Sequence, residues 1–160
     1  MLTSSKRYRC ICKVVTQHID AWQNAPEKPQ LKNQLVGEID AGARENVVIA
    51  SSSSGIPSSE FIGECRKNPG RVLIGHPFNP PHLMPLVEVV PHPGSDQQSV
   101  QTAMDFYASL GKRPVHIKKE LPGFAANRLQ AALCNEAYSL VQRGVMSAAD
   151  VGKAGLASLR

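Results

Sequence analysis

At 160 residues the chain is long enough to bury one core, or one core with a short appendage. Its 42% apolar and 19% charged residues are ordinary for a soluble globular protein, and no apolar run approaches the roughly 20 residues needed to span a bilayer, so no membrane partner is expected. The net charge of +5 and pI near 9.2 raise the question of nucleic acid, but the basic residues are scattered and few aromatics stand ready to stack on bases; a modest preference for anionic, phosphate-bearing ligands is the better inference.

In chain order, residues 1–21 read as an atypical or disordered start in which Cys10 to Val15 would make at most a short strand. This stretch contains no acid before Asp20 and carries Lys6, Arg7, Arg9 and Lys13, which points weakly to a mitochondrial leader. A cytoplasmic location is the plainer expectation. Cys10, Cys12, Cys65 and Cys134 follow no zinc spacing, so free thiols and no metal site are expected. Leu31, Leu35 and Ile39 recur at helical spacing behind Pro29, predicting a helix to about Ala43. Asn46 to Ala50 is a buried strand that empties into Ser51-Ser52-Ser53-Ser54-Gly55, with a helix expected from about Pro57 to Arg66. Hydroxyls at the end of a strand lie on the ligand-bearing edge of an open α/β sheet, although a serine run is as often only a linker.

Two apolar runs follow, Val72 to Gly75 and Leu86 to Val90, separated by a loop rich in proline that cannot continue a sheet ladder and must turn back. His76 ends the first run and Glu88 is the only charge between Leu83 and Val90. A carboxylate in an apolar strand is costly without a partner. A returning loop brings the two together, and a carboxylate on Nδ1–H leaves Nε2 as a general base. The plain alternative is a histidine at a strand tip and a surface carboxylate. Beyond, Ser95-x-x-Gln98 predicts a capping box for a helix to about Leu110, Arg113 to Ile117 a last strand, and Leu121-Pro122-Gly123 a break before a long helix with Phe124, Leu129, Leu133, Ala137, Leu140 and Val141 on its apolar side. Asn127 falls in its first turn, where unpaired N–H groups favour an oxyanion. Ser147-x-x-Asp150 opens another helix. His82, His92 and His116 read as surface or turn residues.

The run from His76 through Asn79-Pro80-Pro81 to Glu88, with Ser53-Ser54 before it and Pro122-Gly123-Phe124-Ala125-Ala126-Asn127-Arg128 after it, resembles the 3-hydroxyacyl-CoA dehydrogenase family, most of all its lambda-crystallin branch, the L-gulonate 3-dehydrogenases. The resemblance implies a fold: the C-terminal part of a doubly wound, Rossmann-like α/β sheet over residues 22–119, then the start of an all-helical domain over residues 120–160. It implies that Gly152 to Leu156 replaces a glycine-containing loop. It also implies an NAD-dependent oxidation of the 3-hydroxyl of a 3-hydroxyacyl-CoA or a related 3-hydroxy acid, with His76 as base, Glu88 orienting it, and Ser53 and Asn127 holding the substrate oxygen. Ser54 is the alternative to Ser53 for the substrate oxygen, because Ser53 stands 23 positions before His76; Ser53 and Asn79 would also face the cofactor.

The family opens on a glycine-rich turn that holds the dinucleotide pyrophosphate. No G-x-G-x-x-G occurs in this sequence. By family order the chain is expected to start after the fourth strand, with NAD affinity weak or lost and the family's homodimer in doubt. Three readings follow: a partial chain of an NAD-dependent dehydrogenase, a catalytically inactive remnant acting as an interaction module, and, least supported, a nucleic-acid module.

Overall fold

The computed structural model describes residues 21–23 and 25–158. The expected strand at Cys10–Val15, and Cys10 and Cys12 themselves, lie outside them. Five strands form one sheet in the order β1-β2-β3-β4-β5: β1 (Ala21–Gln23), β2 (Ile49–Ser51), β3 (Val72–Pro77), β4 (Leu86–Pro91) and β5 (Arg113–His116). All neighbours run parallel except β3 and β4, which are antiparallel. That exception has a local cause. The segment between β3 and β4 holds no helix to carry the chain back across the sheet, so the chain reverses through a proline loop. Phe78 N–H donates to Leu86 O to close the reversal, and Leu83 and Met84 N–H both bond Pro80 O.

Helix α1 (Pro29–Gly42) covers one face of the sheet and α2 (Gln97–Ser109) the other. Val36, Ile49, Phe61, Ile74, Val90 and Phe124 pack together on the α1 side. Ala50, Leu73, Val87, Val89, Ala103 and Tyr107 pack on the α2 side. Alternate residues of β3 and β4 therefore point into opposite layers, and the central strands read as continuous apolar runs because both of their faces are covered. Each fully buried valine, leucine, isoleucine or phenylalanine among them contributes about 1.5–3 kcal/mol of burial free energy.

Several expectations change. The sheet gains a strand at Ala21–Gln23 that no periodicity announced, while Val47 and Val48 are buried just ahead of β2 rather than in it. The helix expected from Pro57 to Arg66 is a single 3-10 turn, Ser58–Phe61, because Gly63 and then Pro69 follow too soon for a helical run. Ser95 is not a cap. Its hydroxyl accepts His92 N–H and donates to Val72 O, and Asp96 stands at the start of α2 without a side-chain bond. The buried stripe of α1 is Lys32, Leu35, Val36 and Asp40, rotated from the expected Leu31, Leu35, Ile39 face.

Both buried charges on that stripe are matched. Asp40 accepts Arg71 Nη2 at 2.8 Å and the backbone N–H groups of Arg66, Lys67 and Asn68. Arg71, 1% exposed, also donates to Asp40 O, Val47 O and Arg44 O. This knot replaces the missing helix as the element that fixes residues 62–71 against α1. Desolvation pushes the Asp40 carboxyl up, but the Arg71 bond and the three N–H donors outweigh it and hold it below the usual carboxylate range.

The chain divides after Phe124 into two compact units. The second contains α3 (Ala126–Gln142) and α4 (Ala148–Ser158). Helix α3 has no buried residue, and Ser147 caps α4 by accepting Asp150 N–H. Residues 152–156, expected to form a loop, are helical within α4. Phe124 is not part of α3: it precedes the helix in a left-handed conformation, and Ala125 follows it at the cap. No described helix is long and apolar enough to cross a membrane.

Candidate active site

In the β3–β4 pair, His76 stands directly opposite Glu88. Opposed residues share a face of the sheet with their Cβ atoms about 5 Å apart, so register alone delivers the imidazole to the carboxylate. Nδ1 of His76 lies 2.9 Å from Glu88 Oε2, with His76 3% and Glu88 1% exposed. A carboxylate is an acceptor only, so Nδ1 carries the proton in this bond, and in the neutral ring Nε2 keeps its lone pair. The ring is held from two further directions, by Phe78 edge-on at 6.0 Å and Phe124 tilted at 5.7 Å between centroids. Away from water the pair's attraction is little screened, and separating the two would strand a buried charge.

A concavity of about 500 Å³ opens at the end of the sheet where β2 and β3 finish and β4 begins. Its walls include Ser52, Ser54, His76, Asn79, His82 and Tyr107. Asn79 and Ser54, both proposed from sequence, thus share this space with His76. Lys112 shapes the rim from behind: its ammonium donates to Pro81 O and, at 3.3 Å, to Met84 O, pinning the proline loop.

Ser53 is placed differently from its neighbour. It is fully buried; its hydroxyl donates to Glu27 Oε2 at 2.8 Å and accepts Ile56 N–H at 3.3 Å. The other oxygen of Glu27 takes Ser54 N–H at 2.8 Å and lies 3.7 Å from Lys32 Nζ. Lys32 is buried, donates to Ala25 O and sits over the Phe61 ring. Desolvation lowers its ammonium pKa, with Glu27 opposing the shift. Glu27 and Lys32 therefore organise the serine loop, and sequence reading missed both. The available signal was a carboxylate two residues ahead of the Pro29 that starts α1 and a lysine one turn inside it, on the helix face that turns out to be buried.

Asn127 is the second residue of α3 and belongs to the second unit. His92, expected at a surface or turn, sits in the turn before α2 but is 9% exposed, with Nε2 3.0 Å from Pro69 O and Nδ1 accepting Gly94 N–H. His82 is exposed and His116 half-buried. Cys65 is a buried core thiol pushed up to about 11, chiefly by desolvation. Among the described residues no cluster of three or more histidines, cysteines or acids is placed to hold a metal ion.

Fit to a dinucleotide divides along its length. The hydroxyl, amide and imidazole groups around the concavity suit a nicotinamide and its ribose. The pyrophosphate needs a glycine-rich turn running into a helix N-terminus, and α1 instead begins with Lys28 and Pro29, the latter lacking an N–H.

Residues 13–121 match the profile described as 3-hydroxyacyl-CoA dehydrogenase, NAD binding domain, and residues 123–159 match its C-terminal domain. The chain is 61% identical over 132 residues to a 3-hydroxyacyl-CoA dehydrogenase of Gibberella moniliformis, covering 82% of this chain and 41% of that protein. An L-carnitine dehydrogenase of Pseudomonas aeruginosa is 48% identical over the same shares. Among solved structures, an NAD+ dependent dismutase, 5-formyl-3-hydroxy-2-methylpyridine 4-carboxylic acid 5-dehydrogenase, superposes with a TM-score of 0.75 at 36% identity over 82% of this chain and 42% of its own. The 3-hydroxybutyryl-CoA dehydrogenase of Escherichia coli K12 does so with 0.72 at 28% over 79% and 26%. The chain thus spans about two-fifths of the length of the curated relatives it matches. The first profile spans the sheet with its buried histidine and glutamate, the second the helices that follow, and together they take in most of the sequence: the chain belongs to the 3-hydroxyacyl-CoA dehydrogenase family.

Proposed function

We propose that this chain carries the acid–base half of an NAD-dependent dehydrogenase site that oxidises the 3-hydroxyl of a 3-hydroxyacyl-CoA or of a smaller 3-hydroxy acid such as L-gulonate or L-carnitine. The observation that carries the proposal is the 2.9 Å bond from His76 Nδ1 to Glu88 Oε2 inside an apolar layer, with His76 also on the wall of the concavity. Oxidation of a secondary alcohol removes a hydride from carbon and a proton from oxygen, leaving a carbonyl. The nicotinamide, when bound, takes the hydride. Nε2 of His76 takes the proton, and Glu88 stabilises the imidazolium that results. Ser53 or its exposed neighbour Ser54, together with Asn127, is assigned to the reacting oxygen by the family motif, and Asn79 to the cofactor side. The double proline of the central motif and the 48% identity to an L-carnitine dehydrogenase point to the smaller acids, and the 61% identity to a 3-hydroxyacyl-CoA dehydrogenase points to the thioester.

Residues 1–160 alone are proposed to hold NAD weakly, because His76, Asn79 and Ser54 offer a nicotinamide end while among the described residues no glycine-rich turn runs into a helix N-terminus to take the pyrophosphate. A fluorescence titration with NADH should not saturate below about 1 mM, an affinity worth only about 4 kcal/mol. Grafting residues 25–158 into the frame of a full-length relative should restore NAD reduction with 3-hydroxybutyryl-CoA, L-gulonate or L-carnitine. A folded graft that reduces NAD with none of them would replace this reading with that of a non-catalytic remnant.

A further inference from the structure

Phe124 is the one described residue other than glycine with a positive φ, at 50°. Side chains with a Cβ avoid this conformation, and where they are held in it the surroundings impose it, most often beside functional groups. Here Phe124 N–H donates to Leu121 O and Gly123 N–H to Gly55 O, both at 2.9 Å, so the turn is tied to the serine loop. Glycine would hold the same turn without strain. What phenylalanine adds is its ring, 1% exposed, packed in the α1-side layer and tilted at 56° against His76.

We propose that Phe124 is a positioning residue for His76. With Phe78 on another side and Glu88 on Nδ1, its ring removes the imidazole's freedom to rotate and keeps water from the Nδ1–Glu88 bond, so that Nε2 stays in place as proton acceptor. The catalytic consequence rests on the base assignment above; the ordering of the ring does not, and it is read without turnover.

The test uses two variants of the whole chain labelled with 15N. Phe124→Gly relieves the backbone strain and removes the ring; Phe124→Leu keeps apolar bulk but no ring plane. Imidazole 15N shifts report the His76 tautomer, and diethyl pyrocarbonate reports its accessibility relative to the buried His92 in the same molecule. The wild type should give a single Nδ1–H tautomer. Phe124→Gly should give a mixture and severalfold faster modification of His76 relative to His92, with Phe124→Leu between them. If Phe124→Gly loses the β3–β4 amide signals, Phe124→Leu decides by the same two readouts. A pure tautomer with unchanged relative modification in a folded variant would overturn the proposal. In the grafted enzyme, kcat should fall with KM held. A loosened His76 with undiminished kcat would instead refute its role as base while leaving the packing role intact.

Discussion

Glu88→Ala removes the acceptor from a bond between two side chains with no bulk water around them. His76 is only 3% exposed, so water compensates the stranded Nδ1–H poorly and the cost exceeds that of a surface contact, about 3–5 kcal/mol against 1 or less. For a domain of this size that is a large part of its total stability, about 5–15 kcal/mol. The double change His76→Leu with Glu88→Val removes both polar groups from a layer already formed by Ile74, Val90 and Phe124, and should recover part of the loss. Glu88→Gln keeps the shape and an acceptor oxygen but loses the charge. It should cost little stability, yet slow a grafted enzyme by about 5–30-fold, the equivalent of about 1–2 kcal/mol between charged and neutral hydrogen bonds. Urea unfolding followed by far-UV circular dichroism measures the stability arm, and initial rates of NAD reduction the other. If Glu88→Ala unfolds at the same urea concentration as the wild type, the pair is not the buried, mutually dependent contact described.

Asp40 is held below its usual range in the fold, so the stability it contributes is present above the unfolded carboxyl value near 3.8 and is lost as pH falls through the lower folded value. Asp40→Asn should flatten the dependence of the urea midpoint on pH between about 5 and 2. Gly75 has no positive φ but faces Tyr107, whose Oη and Cζ, the latter at 2.7 Å, occupy the place of a Cβ. Gly75→Ala should therefore cost about 1–3 kcal/mol of stability by overpacking, and Tyr107→Phe in the same chain, which removes the Oη from that space and keeps the ring, should restore part of it. Cys65, buried and raised to about 11, should stay unreacted with iodoacetamide at pH 8 while the half-buried Cys134 is alkylated; peptide mass mapping distinguishes the two.

The strand pair was legible because its signals are local. Two apolar runs flank a segment that prolines bar from the ladder, and the only charge in the second run needs a partner that the first supplies. The α1 face was not legible. Leu31, Leu35 and Ile39 present a plausible stripe, and nothing in the periodicity shows that Lys32 and Asp40 are the innermost residues, because their burial depends on Glu27, on Arg71 and on backbone N–H groups distant in sequence. For the same reason Glu27 went unread: it acts by bonding Ser53 and Ser54, a contact made only once β2 and the start of α1 are side by side. The helix that the sequence predicts at residues 57–66 is replaced by a single 3-10 turn, and the Asp40–Arg71 ion-pair knot does the anchoring instead. Phe124 was assigned to a helical face by spacing, whereas the preceding Leu121-Pro122-Gly123 turn carries it into a conformation that no helical pattern describes.

The most direct check is the rate of the grafted enzyme after His76→Gln, measured with saturating NAD and 3-hydroxy acid across pH 6–10. Loss of the proton acceptor predicts a fall in kcat of about 100–10,000-fold with substrate KM little changed, and a partial return at high pH where hydroxide replaces the imidazole. A variant that keeps the wild-type kcat and pH profile would contradict the assignment of His76 and Glu88 as the acid–base pair.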